Sequence, residues 1–510
     1  MAEETHDMRH VCTLFVCLSL LTISVIFAVL LPPLNDYPNH LARMHILAGL
    51  DHSELLRRYY RNVMEAQPNL AMDLIVPLLA KAMPLELAGK LFIAAIIELS
   101  AAGVYLLHRV VHGRWSVWPA LAFLFAFHRM LLWGLLNFCF GLGMALCALA
   151  LWLYLRERPL WLRIAGSIVG AAAVYICHLY AMGVYVLAIA GVEAWHLFAP
   201  SERRYTLADF AATVAQFLLP ACFFFFFSGT PASATETKWG SIWRKFEAPF
   251  DVIYQYHLAF DVACLLALAA LVAWGFWRKR IVIAPQLVPA VALVFLAFLA
   301  MPDELFSGYG ADRRMPIAVL WLTIAALDWH PRRAWWREPV ALAVIAVTIL
   351  RLGLLAQVWL ESDKVYRQYY AEIERLPSGA RIMPLTFHPY EQSLIPIPLL
   401  HGACLAIVLR DALVPNLFTT PPFSSESVSL TPDAEKLRVA SGLNEFLPSD
   451  IERLNAHSGL KAKLLLRRPV VSRFDYVFIT RPDVLPPGSI PAALQETART
   501  PYFAIYKVRR

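Results

Sequence analysis

The chain predicts a polytopic α-helical membrane protein of about eleven transmembrane helices, with an outer juxtamembrane helix and a small C-terminal α/β domain outside the membrane. Three observations carry this. The 510 residues are 59% hydrophobic and 16% charged, against roughly 25% charged in soluble domains, and the mean hydropathy is +0.55. Apolar runs of helix length recur from the N-terminus to about residue 360, with short basic clusters between them. After Leu360 the pattern changes to charges, prolines and short mixed runs.

The first run, Val11 to Leu31, is long enough at about 1.5 Å per residue to cross a hydrocarbon core of about 30 Å. It is long for the apolar region of a cleaved leader. The Pro-Pro-Leu-Asn-Asp-Tyr-Pro that follows has no small-residue cleavage site, so the run is read as a retained helix. Further runs occupy 88–107, 117–132, 134–155, 161–177, 179–198, 207–227, 257–277, 282–300, 315–328 and 338–360. Residues 69–84, NLAMDLIVPLLAKAMP, are shorter, with Asp73 and Lys81 and with Pro77 in the middle, all costly at bilayer depth.

Orientation decides the status of 69–84, because cytoplasmic loops carry the excess of Lys and Arg. If it does not cross and the N-terminus is inside, the basic clusters at 108–115, 156–163, 201–205, 278–280 and 330–337 all fall inside. If it crosses, all five are exported. The segment is therefore read as an interfacial or re-entrant helix on the outer face, with Asp73 and Lys81 at the surface. The same parity puts outside residues 32–87, the corners at His128 to Asn137 and His178 to Tyr180, the loop 228–256, the segment 301–314, and everything after Leu360.

Residues 1–360 thus form a transmembrane domain and 361–510 an outer α/β domain of ordinary size. In the latter, 380–387, 474–480 and 502–508 read as strands, and 402–413 and 491–498 as helices. The eight cysteines include no CxxC pair and no secreted-type framework, which argues against a disulfide scaffold and a cysteine zinc site. The net charge of +7 is spread over membrane loops rather than gathered in one patch, so nucleic acid is not a partner.

Polar residues burst out just after the first run: Asn35, Asp36, Asn39, His40, Arg43 and His45. Pro32, Pro33 and Pro38 stiffen the backbone around Asp36. A carboxylate held there suits a general base towards an acceptor hydroxyl or amine, or a ligand to a divalent cation; the plainer alternative is a cap on the helix that begins near Pro38. His40 and Arg43 lie one helical turn apart, and an imidazole and a guanidinium beside a carboxylate suit a phosphate or diphosphate. Asp36 and His40 are the candidate catalytic residues. Arg43, His128, Arg129, Asn137, His178, Tyr309, Asp312, Arg313 and Arg314 are the candidate substrate-binding residues, all on the face that parity gives to Asp36. Arg313 and Arg314 break the charge rule on the outer side, and a lipid phosphate would compensate them; an ion pair with Asp312 is the alternative. The loop 228–256, with Glu236, Lys238, Trp239, Trp243, Arg244 and Lys245, suits an amphipathic helix on the outer leaflet or a lid over a site.

This arrangement resembles the GT-C superfamily of integral-membrane glycosyltransferases, which includes the aminoarabinose transferases and protein O-mannosyltransferases. The resemblance rests on NDYPNH after the first span, with Asp36 in the catalytic-aspartate position, on the proline-containing PNLAMDLIVPLLAKAMP, and on a C-terminal domain ending FDYVFITRP and YFAIYKVRR. It implies transfer of a sugar from a polyprenyl-phosphate donor to a glycan, lipid or protein acceptor. The chemistry would be on the periplasmic face of a bacterial inner membrane, with a cytoplasmic N-terminus and membrane lipids around the helices. Asp36 would be the base, with Arg313 or Arg314 on the donor phosphate. Many members carry a second acidic residue in the next outer loop, where this chain reads FHRMLLWGLLN. A divalent cation therefore stays open and no other cofactor is implied. The rival classes are a multi-pass transporter or lipid flippase, for which repeat symmetry is not evident, and a non-catalytic partner in envelope polysaccharide assembly.

Overall fold

The computed structural model describes residues 2–509, apart from 66, 200–204, 228–236, 306–307, 330–338, 389–397, 419–426, 442–444, 447–465, 467–468, 486–487 and 489. The expected basic cluster 330–337, most of 201–205, and Glu236 lie outside the described residues.

Helix α1 (Ala2–Phe27) stops ahead of Pro32 and Pro33, which cannot continue it. Helix α2 (Tyr37–Gly49) takes Pro38 in its first turn, where a missing N–H breaks no helical bond. Helix α3 (Glu54–Tyr59) is capped by Ser53, whose hydroxyl accepts from the Leu56 N–H at 3.2 Å. Helix α4 (Ala71–Leu79) contains Pro77, and α5 (Leu85–His112) follows. Next come two short pieces, α6 (Leu121–Leu124) and α7 (Arg129–Trp133). The long apolar helices α8 (Leu136–Leu155), α9 (Leu160–Cys177), α10 (Leu179–Phe198) and α11 (Leu207–Phe227) come after them. The series continues through α12 (Ile242–Glu247), α13 (Leu258–Trp277), α14 (Val288–Ala300), α15 (Met315–Ala326) and α16 (Pro339–Glu374). The short α17 (Leu405–Arg410) and α18 (Pro432–Ser441) complete it.

Among the described residues eight helices are long and apolar enough to cross a membrane: α1, α5, α8, α9, α10, α11, α13 and α16. The chain is a polytopic helical membrane protein with a small C-terminal sheet domain, as its hydropathy predicts. Three of the eleven expected runs are shorter as helices. The run 117–132 breaks at residues 125–128, and Gly134, at φ 90°, closes α7. The run 282–300 spends Ile281–Ile283 on a strand and Pro285–Leu287 on a 3₁₀ turn before α14 begins. The run 315–328 gives up Leu327–Trp329 to pair with Ile281–Ile283. Helices of 12 and 13 residues reach only about 18–20 Å at about 1.5 Å per residue.

The chain divides into two compact units. The first comprises residues 1–28, 65–72 and 91–358. Its helices approach closely through glycines: a Cβ on Gly143 of α8 would lie 3.0 Å from the Ser100 nitrogen of α5, and one on Gly191 of α10 would lie 2.3 Å from the Ala290 nitrogen of α14. Charges buried in this apolar unit are paired, as at Arg163 with Asp209 (2.6 Å) and Arg156 with Glu193 (2.9 Å).

The second unit comprises residues 29–64, 73–90 and 359–510. Its five-stranded sheet runs in the order Leu494–Arg499, Phe503–Val508, Tyr476–Thr480, Ile382–Phe387, Glu445–Phe446. The first two junctions are antiparallel and the last two parallel. Met383, Leu385, Val477, Ile479, Ala504 and Tyr506 form its core with Phe474. Pro384 lies opposite Phe478 inside Ile382–Phe387, and on its other side the neighbouring strand pairs only with Thr386 and Phe387, so no ladder bond is needed of the proline there. The three expected strands are present, and Leu405–Arg410 lies within the expected helix 402–413. The expected helix 491–498 is instead an edge strand: its helix-forming Gln495, Glu496 and Ala498 are recruited by pairing with Phe503–Val508, and a register shift falls between Glu496 and Ala498.

Candidate functional site

In the second unit the loop before α2 is pinned at its start, where Lys90 donates to the Val29 carbonyl and the Leu30 N–H donates to Asp363. Asp36 then occupies the N-cap position of α2, with φ −87° and ψ −6°, but makes no capping bond. A cap would bond the second or third helical N–H, and Pro38, second in the helix, has none. The carboxylate instead faces His401, whose Nε2 lies 3.3 Å from Asp36 Oδ1. The imidazole is buried, while the Asp36 side chain keeps 23% of its surface exposed. Behind it, His401 Nδ1 lies 3.8 Å from Glu445 Oε1, and His388 Nε2 lies 3.5 Å from Glu445 Oε2. An alternation of acid and base therefore runs from Asp36 into the sheet domain.

Burial opposes charging of His401, but the bond to Asp36 and the charge of Glu445 outweigh it, so its pKa lies above the ordinary imidazole value. Burial likewise opposes the charge of Glu445, and His388 and His401 overcome it, holding the carboxyl below its usual range. His40 and His401 flank one ring, at 6.4 Å and 5.0 Å from the Phe418 centroid.

Arg43 is fully buried and grips Asp73 with two nitrogens, at 2.9 Å and 3.0 Å. Ser427 also donates to Asp73. The expected surface position of Asp73 is corrected here: α4 turns this acid inward because a bidentate arginine compensates it. On the same helix as Arg43, His45 meets Asp411 at 2.8 Å. Its hydrogen bond, together with that from Ser53, lowers the Asp411 pKa.

The first unit holds the other candidates. Arg129 and Arg313 share Asp251, with Arg313 Nη1 at 2.9 Å, and Arg313 also meets Glu247 at 3.2 Å. The guanidinium of Arg129 stacks over Trp133 (4.8 Å) and Tyr254 (5.2 Å). Asp312 pairs with Lys245 at 2.8 Å. Tyr309 accepts from Arg244 at its hydroxyl (2.7 Å) and from Arg314 at its carbonyl (3.1 Å). Arg314 also lies over the Tyr180 ring at 4.5 Å, with Nη1 3.3 Å from His178 Nε2. His178 Nδ1 accepts from the Tyr180 N–H, so in the neutral ring the proton sits on Nε2. With that tautomer Arg314 Nη1 and His178 Nε2 are two N–H groups 3.3 Å apart. Asn137 clasps the chain at Asn69 and Met72 (2.6 Å and 2.8 Å), and His128 packs edge-on against Trp321 with a buried Nδ1.

Sequence reasoning did not single out His401, Glu445 or Asp251. The available signals were a lone histidine in the apolar LLHGACLAIV and a proline-flanked acid in APFDV, the same pattern as at Asp36.

No family model matches the chain, and no curated relative matches it. Among solved structures it is similar to ArnT from Cupriavidus metallidurans bound to undecaprenyl phosphate, with a TM-score of 0.51 and 13% identity over 97% of both chains. A likeness of that length at that identity is a likeness of fold alone, so this chain shares the fold of ArnT.

Proposed function

We propose that the protein is a membrane glycosyltransferase that moves a sugar from a polyprenyl-phosphate donor to a glycan, lipid or protein acceptor on the outer face, with Asp36 as the general base. The observation that carries the reading is the carboxylate itself. It is partly exposed, makes no capping bond, and faces a buried imidazole. The undecaprenyl phosphate bound to the similarly folded ArnT supports a polyprenyl phosphate as donor carrier.

In this reading the acceptor's hydroxyl or amine gives its proton to Asp36 as its oxygen or nitrogen bonds the anomeric carbon. The bond from that carbon to the phosphate oxygen breaks, and its electron pair leaves with the polyprenyl phosphate. For the donor phosphate we propose Arg313 or Arg314, the choice that the resemblance implies. His40 and Arg43 support α2 behind Asp36. Among the described residues no three His, Cys, Asp or Glu side chains are grouped to hold a metal ion.

The test compares envelope glycolipids and glycans by mass spectrometry with and without the gene. The proposal predicts the loss of one glycosyl mass from one acceptor class, with accumulation of a polyprenyl-linked sugar. A transported but unmodified glycan in both strains would contradict it.

A further inference from the structure

Ile242, Trp243 and Phe246 stand on α12 at positions i, i+1 and i+4, and Trp239 lies two residues before its N-cap, Ser241. The structure leaves Trp239, Ile242, Trp243 and Phe246 70%, 67%, 71% and 65% exposed, although they flank and form α12. The intervening side chains are all engaged. Arg244 pairs with Asp303 and donates to the Tyr309 hydroxyl at 2.7 Å. Lys245 pairs with Asp312 at 2.8 Å, donates to the carbonyls of Phe298 (2.9 Å) and Met301, and lies 5.2 Å from the Phe298 ring centroid. Glu247 accepts from Arg313.

Those carbonyls place the stripe beside the C-terminal end of α14. Phe298 stands in the last turn of α14 and Met301 directly follows that helix. The outward face of α14, at Phe295, Leu296 and Leu299, is itself exposed and apolar, as a lipid-facing helix is. Lys245 therefore mounts α12 across the end of an apolar helix whose outward face is exposed. Tryptophan and phenylalanine flanked by Lys and Arg are stable where acyl chains give way to headgroups, since the rings meet hydrocarbon while the charges reach water and phosphate. The exposed surface of the stripe is continuous in composition with the lipid-facing surface beside it, and this continuity identifies its occupant.

We propose that Trp239, Ile242, Trp243 and Phe246 anchor α12 in the headgroup zone of the bilayer and so hold its charged side chains against Asp303, Tyr309, Asp312 and Arg313. This rests on the membrane fold and not on the transferase reading. The bilayer then becomes a structural partner of Asp303, Tyr309, Asp312 and Arg313, each held by a residue of the anchored helix.

The test uses the full chain in nanodiscs of phosphatidylcholine brominated either near the headgroup, at acyl carbons about 6 and 7, or deep, at about 11 and 12. The fluorescence of the Trp239→Phe/Trp243→Phe double variant is subtracted from that of the wild type to isolate the two indoles. Each single variant gives the same subtraction independently and retains an apolar ring. The expected result is strong quenching by shallow bromine, weaker quenching by deep bromine, and protection from aqueous iodide. Full quenching by iodide with none by bromine would place the stripe in water and overturn the proposal. Insensitivity to both would place it against protein and overturn it equally.

Discussion

Asp36 stands where an aspartate ordinarily caps a helix, and the reason it does not is two residues away. Pro38 removes one of the two N–H groups a cap would reach, and the freed carboxylate turns to His401. The proline pattern around Asp36 is local and therefore visible in the sequence. His401, Glu445 and His388 are not, because they reach Asp36 only through tertiary folding of the C-terminal segment, and periodicity carries no information about such pairings. The imidazole titrates above its ordinary value of about 6.5. The native state therefore holds a proton that the unfolded chain releases, and the stability this contributes is full below about pH 6.5 and fades as pH rises through the native pKa. Asp36→Asn should accordingly cost about 1–2 kcal/mol at pH 6, and the gap to wild type should narrow towards pH 9. Thermal unfolding in detergent across that range measures it; a gap independent of pH would mean that His401 is not charged by Asp36.

At the scale of elements, hydropathy located the apolar runs but not their lengths. Three runs read as spans contain Pro, Gly or strand-pairing residues that shorten them, and a window average cannot register these. The same blindness turned 491–498 into an expected helix, since composition favours one and only the neighbouring strand overrides it. Helix α4 shows the converse: its acid, expected at the surface, is buried because Arg43 of α2 reaches it. Removing one member of a buried pair leaves the other charge uncompensated, which typically costs about 3–5 kcal/mol. Arg43→Leu should therefore lower stability by that order, and Arg43→Leu/Asp73→Leu should recover part of it. A single-variant loss below about 1 kcal/mol would show that water or another group reaches Asp73.

Over the whole molecule, the legible part was the class: a hydrophobic chain of apolar helices, with a small sheet-containing segment after the last of them. What was not legible is that residues 29–64 and 73–90 belong to the same compact unit as 359–510, a discontinuous grouping that no linear pattern reveals. That grouping matters for function, because it is what supplies the first-loop carboxylate with its partners from the C-terminal segment. The central claim is that the carboxylate so positioned is the base of sugar transfer. Its direct measurement is the transfer rate of purified Asp36→Asn against wild type, with donor binding and thermal unfolding of both proteins recorded under the same conditions. Asn keeps the shape and loses the proton acceptor, so the account predicts retained donor binding with a rate lower by about 10²–10⁴-fold. Transfer by Asp36→Asn at near the wild-type rate would contradict it.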